Sequence, residues 1–176
     1  MMKPTQDQAQ APADAPNLKC VLASPARWFA FGLGSGLIRP GPGTWGTLLA
    51  WGIWALAWSR LPDATMGVLL AWFFVYGCWV CHLAGKSLGR ADHGGIVWDE
   101  MVAFWLVLWL IPGSLGMQAL AFVLFRFFDI VKPPPIAYFD ARLKNGLGVM
   151  WDDILAAGYT LLVLAILMRL GLGEWL

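Results

Sequence analysis

Four long stretches without a charged side chain constrain the fold of this chain more than any other feature. They run from Pro40 to Ser59, from Ala64 to Gly85, from Met101 to Phe125 and from Ile154 to Met168. A helix needs about 20 mostly apolar residues to cross the hydrocarbon core of a bilayer. The 176 residues are 59% hydrophobic, whereas soluble domains are typically about 45–50% apolar. The sequence therefore predicts a membrane protein.

We predict an all-α, polytopic membrane helical bundle of about five spans. The first two uncharged stretches are long enough to be spans directly. The third is interrupted at 112–114 by Pro-Gly-Ser, which is typical of a turn, so we divide the region into helices at about 96–111 and about 115–131. The last span is predicted at about 153–171. The connections are predicted to be short at 60–65 and 112–114 and longer at 86–95 and 132–152.

The N-terminal region has a different character. Residues 1–24 are predicted to form a disordered polar tail, and residues 25–176 a single membrane domain. Residues 1–19 contain no apolar run of the kind that a secretory signal peptide needs. The segment from Trp28 to Ile38 is apolar but short, which favours an interfacial helix at the membrane surface over a span.

Basic side chains indicate the orientation of the spans. Arg60 and Arg169 lie on one side of the predicted bundle. The tail and the two longer loops on the other side contain Lys3, Lys19, Arg27, Arg39, Lys86, Arg90, Lys132, Arg142 and Lys144. This bias predicts that the N-terminus and both longer loops face the cytoplasm. The formal net charge is +1, and without a large basic patch we expect no nucleic-acid partner.

Acidic side chains follow the same division. Outside the tail, only Asp63 and Glu174 lie on the side opposite the longer loops. The predicted cytoplasmic side contains Asp92, Asp99, Glu100, Asp129, Asp140, Asp152 and Asp153. Carboxylates crowded at a membrane face repel one another unless cations are present. We therefore predict a metal-assisted site, and Mg²⁺ suits a set of candidate ligands that are oxygens without a Cys/His set.

Glycine-rich segments precede and begin the first predicted span. GLGSGL occupies 32–37, and PGPGTWGT occupies 40–47. Backbone amides at a glycine-rich helix start can bind a phosphate, which makes Gly43, Thr44, Gly46 and Thr47 candidate phosphate-binding residues. Glycines also serve turns and helix packing, and that interpretation stays open.

Two acidic motifs lie at predicted helix starts. DHGGIVWDE at 92–100 places Asp99 and Glu100 at the mouth of a membrane helix, where they could ligate a hard cation or only complement the helix dipole. His93 is a candidate phosphate ligand or a solvated loop residue. FDARLKNGLGVMWDD at 139–153 ends in Asp152 and Asp153, which could cap a helix or bind metal. Lys144 in the same segment is a candidate phosphate ligand.

A third motif combines cations with an acid. In FRFFDIVKPPP at 125–135, Arg126, Asp129 and Lys132 recur three residues apart and are predicted to share one helical face. This pattern is compatible with a salt-bridge ladder, and also with a site where phosphate and a metal bind side by side.

The sequence contains weaker evidence for three other functions, which are haem attachment, CDP-alcohol phosphotransfer and transport. CWVCH at 78–82 matches the pattern of covalent haem attachment, but its place inside an uncharged run favours packing. Asp140-Ala141-Arg142 and the Gly148–Asp152 spacing resemble fragments of the CDP-alcohol phosphotransferase motif, whose other positions are missing. A small transporter would bind substrate near the bilayer midplane and often contains inverted repeats, whereas here the charges cluster at one face and no repeat is seen.

The same segments resemble the phosphatidylglycerophosphatase A family of bacterial membrane phosphatases. The resemblance covers roughly residues 31–158, in the order GLGSGL, PGTWGT, CHLAGKSLG, DHGGIVWDE, FRFFDIVKPPPI and FDARLKNGLGVMWDDIL. It implies Mg²⁺-dependent hydrolysis of the phosphomonoester of phosphatidylglycerophosphate, giving phosphatidylglycerol and inorganic phosphate. It also implies an active site at the cytoplasmic face of the bacterial inner membrane.

The resemblance implies roles for residues at the matching positions. It marks all seven acids named above, with Lys132 and Thr44 beside them, but does not say which acid does what. As catalytic residues we predict Asp129, Asp152, Asp99 and Lys132. As metal ligands we predict Asp99, Glu100, Asp129, Asp152 and Asp153. As phosphate-binding residues we predict Gly43, Thr44, Gly46, Thr47, Arg126, His93 and Lys144. The expected partners are a phospholipid substrate and the membrane, and a homo-oligomer is compatible with the glycine content of the spans.

Overall fold

In a computed structural model, residues 18–90 and 93–171 can be described, and no strand occurs among them. The predicted all-α class is therefore confirmed. The helices are α1 (Leu18–Leu22), α2 (Pro25–Ala30), α3 (Pro42–Ile53), α4 (Asp63–Leu88), α5 (Trp98–Leu110), α6 (Leu115–Val131), α7 (Ile136–Arg142) and α8 (Gly146–Arg169). A 3-10 helix at Gly32–Leu37 precedes α3, and a π-helical turn at Trp54–Trp58 follows it.

The N-terminal segment differs from its prediction. Most of the predicted tail, residues 1–17, lies outside the described residues, but helix α1 falls within its last part and Val21 is fully buried. The predicted helix from Trp28 to Ile38 is divided between α2 and the 3-10 helix. The division occurs because Leu33 and Gly34 have φ angles of 57° and 100°, which are left-handed and cannot continue an α-helix.

The connections are partly as predicted. The turn at 112–114 is confirmed, and the Ser114 hydroxyl caps α6 by accepting from the Met117 amide at 3.3 Å. The predicted loop at 132–152 is wrong, because it contains α7 and the beginning of α8. Helix α8 begins early because the Asn145 side chain caps it, accepting from the Gly148 amide at 2.9 Å.

Helix α5 is the centre of the bundle. It packs against α3, α4, α6 and α8, and its residues are buried on all sides. Two of its tryptophans tie it to neighbours: Trp105 Nε1 donates to the Ala50 carbonyl at 2.8 Å, and Trp98 Nε1 donates to the Phe73 carbonyl at 3.2 Å. Beyond Asp99 and Glu100 in its first turn, α5 is apolar on every side, which suits this enclosed position.

Successive long helices run in alternating directions. Trp109 at the end of α5 donates to Asp63 Oδ1 at the start of α4 at 3.2 Å, so these two helices are antiparallel. Arg126 near the end of α6 contacts Glu100 at the start of α5 at 2.9 Å. As a result, the beginnings of α3, α5 and α8 and the ends of α4 and α6 meet at one end of the bundle, which we call the acidic end.

Two helices are long and apolar enough to cross a membrane: α4 and α8. Helices α5 and α6 have 13 and 17 residues, and α3 has 12 before the π-helical turn. These three are shorter than the predicted spans because turns and caps end them early, so the number of five spans stays a prediction.

Glycine contacts bring α8 close to α4. A side chain at Gly146, the first residue of α8, would overlap the carbonyl oxygen of Cys78 and lie 2.8 Å from His82 Cβ. Cys81, which lies on α4 with Cys78 and His82, is fully buried. This agrees with a packing role for the CWVCH segment. Because the obstructing atom at Gly146 is backbone, this contact requires glycine.

We expect Gly146→Ala to destabilise the fold, since the new methyl group would force α8 away from α4. Overpacking of this kind typically costs about 1–3 kcal/mol. Gly158→Ala in the same helix is the matched control, because no atom lies within 4 Å of its Cβ position. Thermal denaturation of the purified protein checks this: Gly146→Ala should unfold at a lower temperature than Gly158→Ala, and equal midpoints would contradict the prediction.

Candidate active site

The acidic end of the bundle holds five carboxylates from three helices. Asp99 and Glu100 lie in the first turn of α5, Asp129 in the last turn of α6, and Asp152 and Asp153 in α8. Asp99, Asp152 and Asp153 are only 7%, 6% and 3% exposed. The sequence predicted that these five residues lie together, and the structure brings them into one group, which we call the acid cluster.

Arg126 joins two members of the acid cluster. Its Nη1 atom lies 2.9 Å from Glu100 Oε1 and 2.8 Å from Asp129 Oδ2. All three side chains are largely buried. The guanidinium therefore links the start of α5 to the end of α6, and the predicted pairing of Arg126 with Asp129 on one helical face is confirmed.

Lys132 does not continue that helical face, so this part of the prediction is wrong. Helix α6 ends at Val131, and Lys132 has a left-handed φ of 47°. The side chain instead reaches α8 and α7, where Nζ lies 2.6 Å from Asp152 Oδ2 and 3.3 Å from Asp140 Oδ1. Lys132 thus acts as a second cation of the cluster, because the chain turns before the polyproline segment.

Asp153 is the most enclosed acid of the cluster. The carboxylates of Asp129, Asp99, Asp152 and Glu100 all act electrostatically on it. Five acids and the two cations Arg126 and Lys132 leave the cluster with an excess of negative charge when all are ionised. Such an arrangement attracts a further cation.

The start of α3 lies against the acid cluster. Gly43 contacts Glu100 so closely that a side chain there would overlap its carboxylate. Gly41, with a φ of 69°, turns the chain into the helix, and Pro42 is its first residue. The first turn of α3 therefore lies in contact with the carboxylate of Glu100.

Gly46 and Thr47 lie one turn further into α3. At Gly46, a Cβ atom would be 2.7 Å from Val97 Cβ, so the glycine permits close packing of α3 on the segment before α5. Thr47 is fully buried, and its hydroxyl donates to the Gly43 carbonyl at 2.8 Å. These two residues support the position of Gly43. Thr44 is half-buried in the first turn, and its amide donates to the Gly41 carbonyl at 3.0 Å.

The remaining predicted residues lie beside the cluster. His93 Nδ1 accepts from the Gly95 amide at 3.1 Å, and its ring lies next to Phe31. Lys144 Nζ is 3.7 Å from Asp140 Oδ1. Asp92 lies outside the described residues. His93 and Lys144 are therefore not within the acid cluster, and each lines a cavity at its edge.

The two cavities contain cations that the sequence analysis did not single out. One, of about 230 Å³, is lined by His82, Gly85, Lys86, Gly89, Arg90, Lys144, Asn145 and Gly146, and we call it the basic cavity. The other, of about 650 Å³, is lined by Arg39, Pro40, Gly41, Pro42, Arg90, His93 and Gly94. The available signal was the spacing of four residues between His82 and Lys86, which places both on one side of α4.

The ligands that the cluster could offer to a metal are oxygens. The atoms Asp99 Oδ1, Glu100 Oε2 and Asp152 Oδ1 are buried. Within the described residues, no three His, Cys, Asp or Glu side chains are placed so as to hold one ion together.

Comparisons with known proteins show which family this chain resembles. The family model described as Phosphatidylglycerophosphatase A matches residues 28–168. A Haemophilus influenzae protein named phosphatidylglycerophosphatase A is 47% identical over 84% of this chain and 91% of its own. An Escherichia coli protein of the same name is 37% identical over 81% and 83%. A Bacteroides thetaiotaomicron protein named putative phosphatidylinositol-3-phosphatase is 37% identical over 77% and 88%.

No solved structure matches the chain. The matched residues 28–168 include every member of the acid cluster, both of its cations and the start of α3. The family model covers most of the chain, and the similar Haemophilus protein is matched over nearly its whole length. The chain belongs to the phosphatidylglycerophosphatase A family.

Proposed function

We propose that this protein hydrolyses the phosphomonoester of phosphatidylglycerophosphate, releasing phosphatidylglycerol and inorganic phosphate. Membership of the family supports the reaction. The observation that carries the proposal is the acid cluster itself, in which Arg126 and Lys132 are fixed by carboxylates next to the start of α3. A phosphate ester needs cations, backbone amides and a carboxylate in one place, and this end of the bundle offers all three.

We further propose that the protein is embedded in the bacterial inner membrane with the acidic end at the cytoplasmic face. Apolar side chains on the outside of the long helices support this, since Val68 and Val75 on α4 are 71% and 69% exposed. In the proposed arrangement, α3, α5 and α6 also cross, which gives five spans. Arg60 and Arg169 then mark the opposite face, in agreement with the positive-inside bias.

Arg126 and Lys132 are proposed to bind the phosphate oxygens. A phosphomonoester carries about −1.5 to −2 charges at pH 7, which the acid cluster would repel without cations. Both side chains are held in place by acids before substrate arrives, so little ordering is needed on binding. The Gly43 amide, in the first turn of α3, would add a neutral donor.

Mg²⁺ is the proposed cofactor, held by some of Asp99, Glu100, Asp129, Asp152 and Asp153. Their oxygens are the ligands that Mg²⁺ prefers, and this ion usually uses only one or two carboxylates together with water and substrate phosphates. When bound, Mg²⁺ would reduce the charge repulsion at the phosphate and polarise its oxygens.

One carboxylate is proposed to start the reaction. Asp129 and Asp152 are the candidates, because each contacts a cation that would also contact the phosphate: Arg126 at 2.8 Å and Lys132 at 2.6 Å. Such an acid can accept the proton of the attacking water, or attack phosphorus itself to form an aspartyl phosphate that water then hydrolyses. Both routes release inorganic phosphate and leave the lipid hydroxyl.

We expect Asp129→Asn to lower phosphate release by about 100-fold or more, since general acid–base catalysis typically contributes about 10²–10⁴. The substitution preserves the shape of the side chain, so the fold should persist. Release from phosphatidylglycerophosphate in mixed micelles measures the effect. Asp63→Asn, at the opposite end of the bundle, is the control and should keep its activity. Near wild-type turnover in Asp129→Asn would remove Asp129 from the reaction.

Removal of divalent metal should abolish phosphate release, since the proposed charge balance of the site depends on Mg²⁺. We expect no turnover in excess EDTA and recovery when Mg²⁺ exceeds the chelator. Thermal denaturation under both conditions shows whether the protein stays folded. Full activity of extensively chelated protein would reject the metal requirement while leaving the phosphatase reaction in place.

Gly43→Ala should impair catalysis without unfolding the protein. The added methyl group would displace the Glu100 carboxylate, a flexible side-chain end, and disturb its 2.9 Å contact with Arg126. A misplacement of about 1 Å can cost about 100-fold in rate. Gly52→Ala in the same helix is the matched control, because its Cβ position is open. Equal rates of phosphate release in the two variants would contradict the proposed contact.

A further inference from the structure

The basic cavity is a cationic feature that the proposed reaction does not use. Its lining among the described residues includes Lys86, Arg90 and Lys144, together with His82, and no acidic side chain. The other lining residues are three glycines and Asn145. Three cations around one concave surface repel one another, so the cavity suits an anionic group.

Local structure explains why these cations converge. His82 and Lys86 are four residues apart on α4 and share one side of it. Beyond the helix, Gly89 has a φ of 69° and the Arg90 amide donates back to the Gly85 carbonyl at 3.1 Å. This helix C-cap turns the chain back, so that Arg90 lies beside the last turn of α4.

The third cation comes from the other wall of the cavity. Lys144 lies just before α8, and Gly146 at the start of that helix is in contact with the backbone of α4 near His82. The close approach of the two helices places Lys144 opposite Lys86 and Arg90. The same glycine that fixes the position of α8 therefore also forms this cavity.

A short chain of contacts joins the basic cavity to the acid cluster. Asp140 Oδ1 lies 3.7 Å from Lys144 Nζ and 3.3 Å from Lys132 Nζ. Lys132 Nζ in turn lies 2.6 Å from Asp152 Oδ2. A single carboxylate oxygen thus separates the cation that lines the cavity from the cation proposed to bind the reacting phosphate.

This separation matches the chemistry of the proposed substrate. Phosphatidylglycerophosphate carries a terminal phosphomonoester and, across one glycerol unit, a phosphodiester that joins it to the lipid. We propose that Lys86, Arg90 and Lys144 of the basic cavity bind this phosphodiester while the monoester occupies the acid cluster. The proposal rests on the proposed function and adds a basis for preferring lipids with a second phosphate over phosphatidate, which has only the monoester.

Charge-reducing variants test the subsite. In mixed micelles of a non-ionic detergent, the Lys86→Gln/Arg90→Gln double variant and Lys144→Gln should each raise the KM for phosphatidylglycerophosphate by about tenfold or more, the effect of losing a hydrogen bond to a charged group. Their kcat should change little, because these cations do not contact the reacting phosphate. Using two variants from opposite walls makes the result independent of either one.

Competition separates the two phosphate sites. Inorganic phosphate should inhibit both variants as strongly as the unmodified protein, since it binds at the acid cluster. Glycerophosphoglycerol, a water-soluble phosphodiester without a monoester, should inhibit them about tenfold more weakly. If phosphate inhibition weakens and diester inhibition does not, the cavity serves the monoester and the proposal is overturned.

Arg142→Gln is the matched control for net charge. Arg142 lies two residues from Lys144, but its guanidinium is over the Tyr138 ring at 4.1 Å and it lines neither cavity. Its KM should equal that of the unmodified protein. A KM increase shared by Arg142→Gln and the cavity variants would overturn the subsite in favour of a general charge effect. Absence of phosphate release by the unmodified protein is a different result and would overturn the proposed function together with the subsite.

Discussion

The contact of Arg126 with Glu100 and Asp129 is the interaction on which the acidic end of this protein depends. Ionised carboxylates in a largely buried position are costly unless a cation and hydrogen bonds compensate them. The guanidinium contacts one acid from α5 and another from its own helix at 2.9 and 2.8 Å. Removing one partner of such a buried group typically costs about 3–5 kcal/mol, so the contact constrains both helices and the site between them.

Alternating helix directions convert a scattered set of residues into one site. The acids are more than fifty residues apart along the chain from Asp99 to Asp153, yet the ends of α5, α6 and α8 that carry them lie at the same end of the bundle. Glycines complete the arrangement: Gly43 admits the Glu100 carboxylate beside α3, and Gly146 admits α8 beside α4. The small residues thus determine how closely the charged ones can approach.

The sequence predicted the acid cluster well because charged side chains are costly inside long apolar helices, which limits the positions that acids can occupy in such a chain. Acids absent from the long uncharged stretches must lie outside the predicted membrane segments, and short turns between antiparallel helices determine which ends of these segments meet. The prediction from sequence was wrong where local backbone conformation decides the direction of a side chain or the end of a helix. The left-handed φ of Lys132 moves its side chain from α6 to α8, and the left-handed φ of Leu33 divides the predicted interfacial helix. No glycine marked the position of Lys132, whereas Leu33 lies between Gly32 and Gly34, whose positive φ angles of 52° and 100° belong to the same break.

The basic cavity was not predicted because its lining comes from two distant parts of the chain. His82, Lys86 and Arg90 indicate a shared site only once the structure shows Lys144 opposite them.

Helix dipoles add an asymmetry among the acids that bears on their roles. Asp99 and Glu100 lie in the first turn of α5, where the positive end of the dipole stabilises negative charge. Asp129 lies in the last turn of α6, where the dipole disfavours it. The 2.8 Å contact with Arg126 offsets this unfavourable position. Arg126, the cation proposed to bind the phosphate, thus also holds Asp129 in position, which keeps Asp129 a candidate for the proposed step on water.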